Sequence, residues 1–482
     1  MIKQMRSNRN SLLFTSSVVI ASAILYFCAT GLNGYGPLLF LAPILILILA
    51  NRSAAKVAFL CSFLAYAIGG LNMVSYLKLL VPIPLIVLFV LFPSLLFALA
   101  VISARAATLH GQPWLAVFVF PAVWTAYEFL LSLVSPNGTA GSIAYAQTSL
   151  APLIQIASLT GIWGITFMTT LVPATVAVLW HRWKSKGEML RISAAPAALT
   201  LFVVLFGFSR LLQPGLKRSV SVGLAACDTS IDHFRATELG EALPVAEAYS
   251  RRAAELGAKG AQIIVLPEKF LGVTRKYDSV VFSLFRRTAR NTSAIVIAGF
   301  DDIESPSNVN EAISFFPAET TLRYRKKYFV PGIEAGYLPG SEPLVFQCDS
   351  VNMGVEICKD MDFPSWSREY GSRDVRILFV PAWDFTVDGR MHSRMAVMRG
   401  LENGFSVARC AQQGLLTASD SRGRVVAETA SGPEAALECS VPLGTGKTFY
   451  SVTGDWFGWL NVIFVFVFVD RLLWHKIKTA AI

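Results

Sequence analysis

The sequence is poor in charged residues: Asp, Glu, Lys and Arg make up 15% of its 482 residues, against 54% from the hydrophobic set. Soluble globular chains carry about a quarter charged residues, so this shortage excludes an ordinary cytosolic protein and a disordered chain. Cysteine and histidine are also scarce, with seven and five residues, and neither a C-x-x-C nor an H-E-x-x-H motif occurs. The sequence therefore predicts no disulfide framework, no metal site and no cofactor.

Long apolar runs fill residues 12–213 and return near the end of the chain, whereas residues 219–450 are mixed and charged. Eight runs approach the roughly 20 residues that a helix needs to cross about 30 Å of hydrocarbon. The predicted spans are Leu12–Thr30, Gly36–Ala50, Val57–Leu77, Pro84–Ala104, Trp114–Val134, Leu159–Trp180, Ala194–Leu212 and Trp456–Leu473. We therefore expect a seven-span membrane domain over 1–213, a second domain over 219–450 and a C-terminal transmembrane helix over 456–474.

The charges between these spans predict an orientation. Thirteen basic residues fall in tails or loops that would share one side of the membrane, and a single one, Lys78, falls on the other. The thirteen are Lys3, Arg6, Arg9, Arg52, Lys56, Arg105, Arg182, Lys184, Lys186, Arg191, Arg471, Lys476 and Lys478. Because cytoplasmic loops are enriched in Lys and Arg, both termini are predicted to be cytoplasmic and the 219–450 domain to face outward.

Residues 219–450 alternate between strand-like and helix-like segments. The apolar, strand-like segments are Ser219–Ala226, Ala261–Leu266, Ala294–Phe300, Val351–Ile357, Ile377–Val380 and Ser406–Cys410, and the helix-like ones are Glu241–Lys259 and His392–Asn403. Continuous apolar strands interleaved with helices are typical of layered α/β domains whose sheets are buried. This pattern predicts an α/β domain held outside the membrane.

Three polar residues stand at the ends of apolar strands, where α/β enzymes tend to place their active sites. Glu268 follows IIVLP, Cys358 follows MGVEI, and Lys326 lies within RYRKKYFVPG. A thiolate attacks a carbonyl carbon, a carboxylate carries its proton and an ammonium stabilises the oxyanion, so this set suffices for acyl transfer. Each residue alone also has an ordinary explanation, as a packed thiol, a helix cap and a surface lysine.

Five motifs occur in the same order as in the nitrilase superfamily, which the sequence resembles. They are LPEKF at 266–270, YRKKYFVPGIE at 324–334, ICKDMDFP at 357–364, VPAWDF at 380–385 and MRGLENG at 398–404. The resemblance implies a nitrilase-like α-β-β-α sandwich with a Glu-Lys-Cys triad. It implies that Glu268 is the general base, Lys326 the oxyanion-stabilising lysine and Cys358 the nucleophile. Glu334 matches an auxiliary glutamate that helps to position the triad.

The membrane half extends the resemblance to the apolipoprotein N-acyltransferases. The order of seven spans, a nitrilase-like domain and one last span is similar to that family, as are Tyr145–Gln147, the segment at 152–167 and Glu128 in WTAYEF. The resemblance implies that a phospholipid donates the acyl chain and that the α-amino group of a diacylglyceryl-cysteine on a bacterial lipoprotein accepts it. It also implies a bacterial inner-membrane enzyme with a periplasmic catalytic domain, for which a monomer suffices and nucleic acid is no partner.

The residues beside the nucleophile depart from the family pattern. An aromatic residue and Glu usually follow the cysteine, whereas Lys359 and Asp360 follow it here. Asp360 keeps the negative charge on a side chain one methylene shorter, and we expect it to help position the site. Lys359 either lowers the pKa of the thiol or is simply solvated. Trp383 either lines the mouth of the active site or packs beside a turn.

Two other functions use the same residues. A membrane-tethered amidase would pass the acyl group to water, and a catalytically silent homologue would bind lipids or lipoproteins. The altered C-K-D motif allows the silent homologue, although the retention of Glu268, Lys326 and Cys358 together argues against it.

Further charged positions lie outside the candidate triad. Arg399 and Glu402 are three residues apart on a predicted helix, so we expect an ion pair rather than a catalytic role. Glu128 lies within an apolar span, where a lone charge is costly, so we expect it to face a polar partner or cavity, either for function or for contact between helices.

Overall fold

The computed structural model describes residues 2–110, 113–214, 218–227, 233–303 and 307–480, and this part of the chain divides into two compact units. The first unit comprises Met1–Val134, Gly141–Ser209 and Asp455–Ile482, and the second comprises Ser135–Ala140 and Arg210–Gly454. The sequence predicts a short polar linker from the membrane domain at 214–218, of which residues 215–217 lie outside the described residues.

Helices make up the first unit. Those that precede the second unit are, in chain order, α1 (Ile2–Ala29), α2 (Ala42–Arg52), α3 (Ala55–Gly69), α4 (Val74–Leu80), α5 (Ile83–His110), α6 (Pro113–Val134), α7 (Ala151–Ile154), α8 (Ala157–Thr160), α9 (Ile162–Arg182) and α10 (Lys186–Leu212), and the helix Trp456–Ala480 near the end of the chain also belongs to this unit. Single 3₁₀ turns at Gly36–Phe40, Gly70–Met73 and Ile143–Gln147 connect some of them. These helices follow the apolar runs of the sequence, because a helix satisfies its own backbone hydrogen bonds in a hydrocarbon environment.

Six helical segments among the described residues are long and apolar enough to cross a membrane. They are Leu12–Ala29, Ala55–Leu80, Ile83–His110, Pro113–Val134, Ile162–Arg182 and Lys186–Leu212. The predicted second span is a 3₁₀ turn followed by α2, and this helical stretch, Gly36–Arg52, is shorter than the other six. The multi-pass membrane character is therefore confirmed, while the count of eight spans stays a prediction.

The carboxylate of Glu128 lies inside the first unit among neutral donors. It accepts hydrogen bonds from Trp124 Nε1 at 3.2 Å, Ser142 Oγ at 2.6 Å, the Ile143 backbone N–H at 3.1 Å and Thr166 Oγ1 at 2.8 Å. The expectation of a polar partner is therefore confirmed. Unpaired polar groups are costly in such surroundings, so these four bonds account for how a carboxylate is tolerated in α6.

Two sheets form the centre of the second unit. The first sheet contains β1 (Ser219–Ala226), β2 (Ile263–Val265), β3 (Leu271–Val273), β4 (Ile295–Asp302), β5 (Val309–Phe315), β6 (Thr321–Arg325) and β13 (Ala435–Pro442). The second contains β7 (Leu344–Cys348), β8 (Val351–Val355), β9 (Ile377–Ala382), β10 (Ser406–Ala411), β11 (Leu415–Ser419) and β12 (Val425–Ala430). Their strand orders are β13-β1-β2-β4-β5-β6, with β3 beside β4, and β12-β11-β10-β9-β8-β7.

Helices cover the outer face of each sheet. The helices α11 (Leu239–Ala258) and α12 (Asp278–Thr292) pack on the first sheet, and α13 (Pro364–Ser372) and α14 (Gly389–Asn403) pack on the second. One face of α12 is buried against the sheet, and its residues recur at helical spacing: Val281, Phe282, Phe285 and Ala289. Burying a valine or phenylalanine side chain stabilises the fold by about 1.5–3 kcal/mol. The predicted α-β-β-α sandwich is confirmed.

The inner faces of the two sheets pack against each other. Val222 and Val265 of the first sheet belong to the same apolar core as Val355 and Phe379 of the second. The central strands, such as β4, β9 and β10, are thus buried on both faces, which explains why they read as continuous apolar runs. The polar residues that follow these strands lie at the edge of this core.

The chain ends in two helices. A capping box precedes α15 (Phe449–Thr453), in which the side chains of Thr448 and Ser451 each accept a hydrogen bond from the other's backbone N–H. The last helix, α16, spans Trp456–Ala480 and includes the predicted final span.

Candidate active site

The predicted triad residues all follow strands of the two sheets. Glu268 comes after β2, Lys326 directly after β6, and Cys358 after β8. The Glu268 backbone N–H donates to the carbonyl of Ala382 at the end of β9, which joins the two sheets at this point. The Lys326 backbone N–H donates to Asn310 O on β5 at 2.9 Å. Strand pairing therefore brings together three residues that are far apart in the sequence.

A buried polar network surrounds the Lys326 ammonium. Its Nζ lies 2.7 Å from Glu268 Oε1 and 2.8 Å from Glu334 Oε2. Lys269 Nζ reaches Glu334 Oε1 at 2.9 Å, and Asn310 Nδ2 donates to Glu268 Oε1 at 2.7 Å and Glu334 Oε1 at 2.8 Å. Two carboxylates and two ammonium groups thus compensate each other where water is excluded.

Charge compensation keeps Lys326 and Glu334 ionised. Burial by itself would lower the pKa of Lys326, but Glu268 and Glu334 outweigh it and hold that pKa well above its usual range. Burial would likewise raise the pKa of Glu334, but Lys326 and Lys269 hold it well below its ordinary value. Lys326 is therefore a permanent cation, as a group that stabilises an oxyanion must be.

Cys358 begins a 3₁₀ turn, Cys358–Asp362, and its φ of +40° lies in the left-handed region that side chains other than glycine rarely adopt. Its Sγ donates to Trp383 O at 3.4 Å. Burial raises the pKa of the thiol well above its usual value, Glu268 raises it further, and Lys326 and Arg409 offset only part of the increase. The resting nucleophile is therefore a neutral thiol, which needs a base before it can attack.

The side chain of Lys359 is withdrawn from water, which excludes one of its two alternatives, that of a solvated side chain. Lys359 is 7% exposed, and its Nζ donates to Asn137 Oδ1 at 2.9 Å and to Asp362 Oδ2 at 3.3 Å. It is also absent from the charged groups that shift the thiol pKa most, which are Glu268, Lys326, Arg409 and Asp384. Lys359 acts through its contacts within and beside the turn.

Asp360 holds the loop that carries Lys326. Its buried carboxylate accepts from Tyr324 Oη at 2.6 Å, the Tyr328 backbone N–H at 2.7 Å and the Lys327 backbone N–H at 3.1 Å. Burial raises the pKa of Asp360 to about 7, although these hydrogen bonds oppose the increase. Residues on both sides of Lys326 are thereby attached to the turn that carries Cys358.

Trp383 contacts the nucleophile through its backbone and packs through its side chain, while its place at the mouth of the active site stays a prediction. Its carbonyl accepts the thiol hydrogen bond, while its half-buried indole packs edge-on against Phe234 with ring centroids 5.1 Å apart. The indole Nε1 donates to Gln413 Oε1 at 3.3 Å, and Lys269 Nζ lies 5.9 Å from the ring centroid. The ring thus borders the polar network as a packed aromatic.

Several residues of the site went unrecognised in the sequence. Lys269 lies inside the LPEKF motif, where its position next to Glu268 was a signal, whereas Asn310 belongs to no motif and only strand pairing brings it to the site. Asp384 and Arg409 form a buried pair with N–O distances of 2.8 and 2.5 Å. The predicted Arg399–Glu402 ion pair is confirmed, at 3.1 Å and fully buried.

One group of side chains has metal-ligand character. The ligand atoms of Asp384, Asp388 and His392 lie within 4.8 Å of one another. Arg409 already binds both oxygens of Asp384, and His392 Nε2 lies 3.4 Å from Asp388 Oδ2. The guanidinium supplies the charge that a metal ion would otherwise bring, so these residues are accounted for as an ion-paired cluster.

Family models match the two parts of the chain separately. Residues 223–444 match the carbon-nitrogen hydrolase model, and residues 22–175 match the model of the apolipoprotein N-acyltransferase N-terminal domain. A solved amidase from Nesterenkonia sp. AN1 is 18% identical and covers 46% of this chain and 93% of its own, with a TM-score of 0.40. The match to the carbon-nitrogen hydrolase model defines the class: a carbon-nitrogen hydrolase fold carried on a multi-pass membrane protein.

Curated relatives are similar over both parts. The apolipoprotein N-acyltransferase of Geobacter metallireducens is 26% identical over 71% of each chain, and that of Haemophilus influenzae is 24% identical over 92% of each. Apolipoprotein N-acyltransferase 2 of Treponema denticola is 24% identical over 77% of this chain and 80% of its own. With both family models matched in order, the chain belongs to the apolipoprotein N-acyltransferase family.

Proposed function

We propose that this enzyme transfers an acyl chain from a phospholipid to the α-amino group of the diacylglyceryl-cysteine of bacterial lipoproteins. The observation that carries the proposal is that the Lys326 ammonium lies 2.7 Å from the Glu268 carboxylate and that both groups are near enough to the neutral thiol of Cys358 to shift its pKa. That set of groups suits acyl transfer through a thioester, and the family membership supplies the lipid substrates.

In the first half-reaction Glu268 accepts the thiol proton as Cys358 Sγ attacks the carbonyl carbon of the phospholipid ester. The Lys326 ammonium stabilises the oxyanion of the tetrahedral intermediate. When the intermediate collapses, the carbon–oxygen ester bond breaks and Glu268 returns the proton to the leaving lysophospholipid alkoxide. Cys358 then carries the acyl chain as a thioester.

In the second half-reaction the lipoprotein amine attacks the thioester carbonyl carbon. An α-amino group titrates at about pH 8, so a useful fraction is neutral and nucleophilic under physiological conditions. Glu268 takes a proton from the attacking amine, the carbon–sulfur bond breaks, and the proton passes to the departing thiolate. The products are an amide and the regenerated thiol, so the cycle consumes no cofactor.

Glu334 and Lys269 support this cycle without touching the substrate. Glu334 binds both ammonium groups, and its Oε2 also accepts from the Val330 backbone N–H at 2.9 Å. Its negative charge stabilises the ammonium form of Lys326, and its bonds restrict where the ammonium can point. Asp360 and Trp383 position the loops on either side of the nucleophile.

The proposed setting is the bacterial inner membrane, with both termini in the cytoplasm, eight spans and the catalytic unit in the periplasm. The distribution of basic residues between loops supports this orientation. Both substrates are held in the outer leaflet by their acyl chains, so an enzyme anchored in the same membrane meets them without extracting them. A single copy of the chain carries the complete set of proposed residues.

Intact-mass spectrometry tests the function. The purified protein is incubated with phospholipid and then with a diacylated lipopeptide, beside Cys358→Ala and the control Cys348→Ala, which alters a half-buried cysteine of β7. We expect a gain of one acyl chain in wild type and Cys348→Ala but not in Cys358→Ala, followed by transfer of the chain to the lipopeptide amine. Loss of the chain to water with unmodified lipopeptide would identify an amidase instead. A folded protein that forms no adduct would identify a silent homologue.

A further inference from the structure

The turn that carries the nucleophile is bound on one side by a short segment remote in sequence. Residues 135–140 follow α6 in the chain and fall within the range 1–213, yet their contacts assign them to the second unit. The segment closes a tight turn of its own, because Gly138 N–H donates to Ser135 O at 3.1 Å and Ala140 N–H donates to Asn137 O at 3.0 Å. It therefore has a definite shape with which to bind another part of the unit.

A side-chain bond attaches this segment to the residue next to the nucleophile. Lys359 Nζ donates to Asn137 Oδ1 at 2.9 Å and to Asp362 Oδ2 at 3.3 Å, and the side chains of Lys359 and Asp362 are 9% and 3% exposed. An ammonium withdrawn from water needs such acceptors, because desolvation of an uncompensated charge is costly. The Lys359 side chain is thus fixed at its outer end by two elements.

Backbone contacts reinforce this attachment. The carbonyl of Asp362 accepts both the Thr139 backbone N–H at 2.9 Å and Thr139 Oγ1 at 2.8 Å. Gly138 has a φ of +50°, and a Cβ at this position would lie 2.3 Å from the same carbonyl oxygen. Only glycine permits so close an approach, so segment 135–140 and the turn fit at backbone level.

The opposite side of the turn is bound by Asp360, which holds the Tyr324–Tyr328 loop. Between these two attachments Cys358 keeps its left-handed φ of +40°. A residue in this conformation costs free energy and persists only where its surroundings over-determine it. Among those surroundings are the contacts that residues 135–140, from the first half of the chain, make with Lys359 and Asp362.

We propose that Asn137, Thr139 and Lys359 form a tether that positions the Cys358 turn for acyl transfer. Lys359 and Asn137 are then positioning residues rather than catalytic ones, and segment 135–140 is a working part of the catalytic unit. The tether also accounts for the lysine at position 359, where the family usually has an aromatic residue. Only a side chain that donates hydrogen bonds can bind the oxygens of Asn137 and Asp362 at the same time. The effect of the tether on acyl transfer rests on the proposed function.

Isosteric substitutions in the full-length protein test the tether. Asn137→Leu removes the acceptor, Asn137→Asp retains one, Lys359→Met removes the ammonium, and Thr139→Val removes the hydroxyl. Lys259→Met, at an exposed lysine beyond α11, is the matched control. Each protein is assayed for the single-turnover rate of thioester formation, for kcat and KM, for Tm, and for the rate of Cys358 alkylation by iodoacetamide.

We expect Asn137→Leu and Lys359→Met to lower kcat and the acylation rate by about 10- to 100-fold with little change in KM, because misplacing a nucleophile by about 1 Å costs that much. Asn137→Asp should retain most of the rate, and the Asn137→Leu/Lys359→Met double variant should lose little more than either single one. Thr139→Val should lower kcat and the acylation rate less, because the residue 139 backbone N–H still donates to the Asp362 carbonyl.

Three results would overturn the tether: rates equal to those of Lys259→Met, fully additive losses in the double variant, or losses that disappear when each variant is assayed well below its own Tm. Failure of the proposed function is distinguishable, because wild type and Lys259→Met would then form no acyl adduct. In that event the alkylation rate still reports the tether, since it depends on the placement of Cys358 and not on a lipid substrate.

Discussion

Each of the two units buries a glutamate, and the groups around the two carboxylates differ in charge. Glu128 of the first unit accepts hydrogen bonds from an indole, two hydroxyls and a backbone N–H. Glu334 of the second accepts from two ammonium groups, an amide and a backbone N–H. Neutral donors satisfy hydrogen bonding and tie helices together, whereas ammonium groups also maintain a fixed positive charge where an oxyanion would develop.

The largest effect should come from removing the shared cation. Lys326→Met leaves Glu268 and Glu334 facing each other without a counter-charge, and breaking a buried pair in this way costs about 3–5 kcal/mol. We expect a large fall in the free energy of unfolding together with loss of acylation, measured by denaturation in detergent and by intact mass. Lys259→Met should change neither. An unaltered stability would contradict the view that this network is held by charge.

The second effect separates two roles of Glu268, as the base that accepts the thiol proton and as a charge that raises the pKa of Cys358. Glu268→Gln should slow acylation by about 10²–10⁴-fold, because the proton acceptor is lost. The same change removes a negative charge that raises the pKa of Cys358, so the thiolate fraction near neutral pH should increase. A pH titration of thiolate absorbance and single-turnover acylation measure the two responses. A thiol pKa that stays the same or rises in this variant would show that the two groups do not interact.

A smaller effect is expected when the neutral donors around Glu128 lose the carboxylate that accepts their hydrogen bonds. Glu128→Leu leaves buried groups such as Trp124 Nε1 and the Ile143 backbone N–H without their acceptor, at a cost of about 1–3 kcal/mol. Tm should fall while kcat of the folded fraction is maintained, and Glu128→Gln should lose less stability. A fall in kcat at unchanged Tm would instead give Glu128 a role in substrate handling.

The last effect concerns pH. The pKa of Asp360 is raised from 3.8 to about 7, so between these values the folded protein binds more protons than the unfolded chain. Stability contributed by protonated Asp360 is present at the acidic end and is lost as pH rises through about 7. The stability of wild type relative to Asp360→Asn should therefore decrease between about pH 4 and pH 7. A difference in Tm that is constant over this interval would show that Asp360 does not titrate there.

The catalytic candidates could be predicted from the sequence. Glu268, Lys326 and Cys358 stand in recognisable motifs at the ends of apolar strands, and the strands form where the apolar runs predict them. Local hydropathy also places the long helices, since about 20 apolar residues are enough to define a span. These features depend on neighbouring residues in the chain, which is why the sequence reveals them.

Other features depend on pairs remote in sequence, and only the tertiary structure decided them. Asn310 reaches Glu268 because β5 pairs with β4, which in turn pairs with β2, and Lys359 is withdrawn from water because residues 135–140 fold against its turn. No local pattern distinguishes a solvated lysine from one that finds two acceptors, one of them more than 200 residues away. The sequence by itself thus determined the three catalytic candidates and the helices that are long and apolar enough to cross a membrane. The packing of distant segments decided the charge states and contacts of these candidates, because burial and partners are properties of the folded chain.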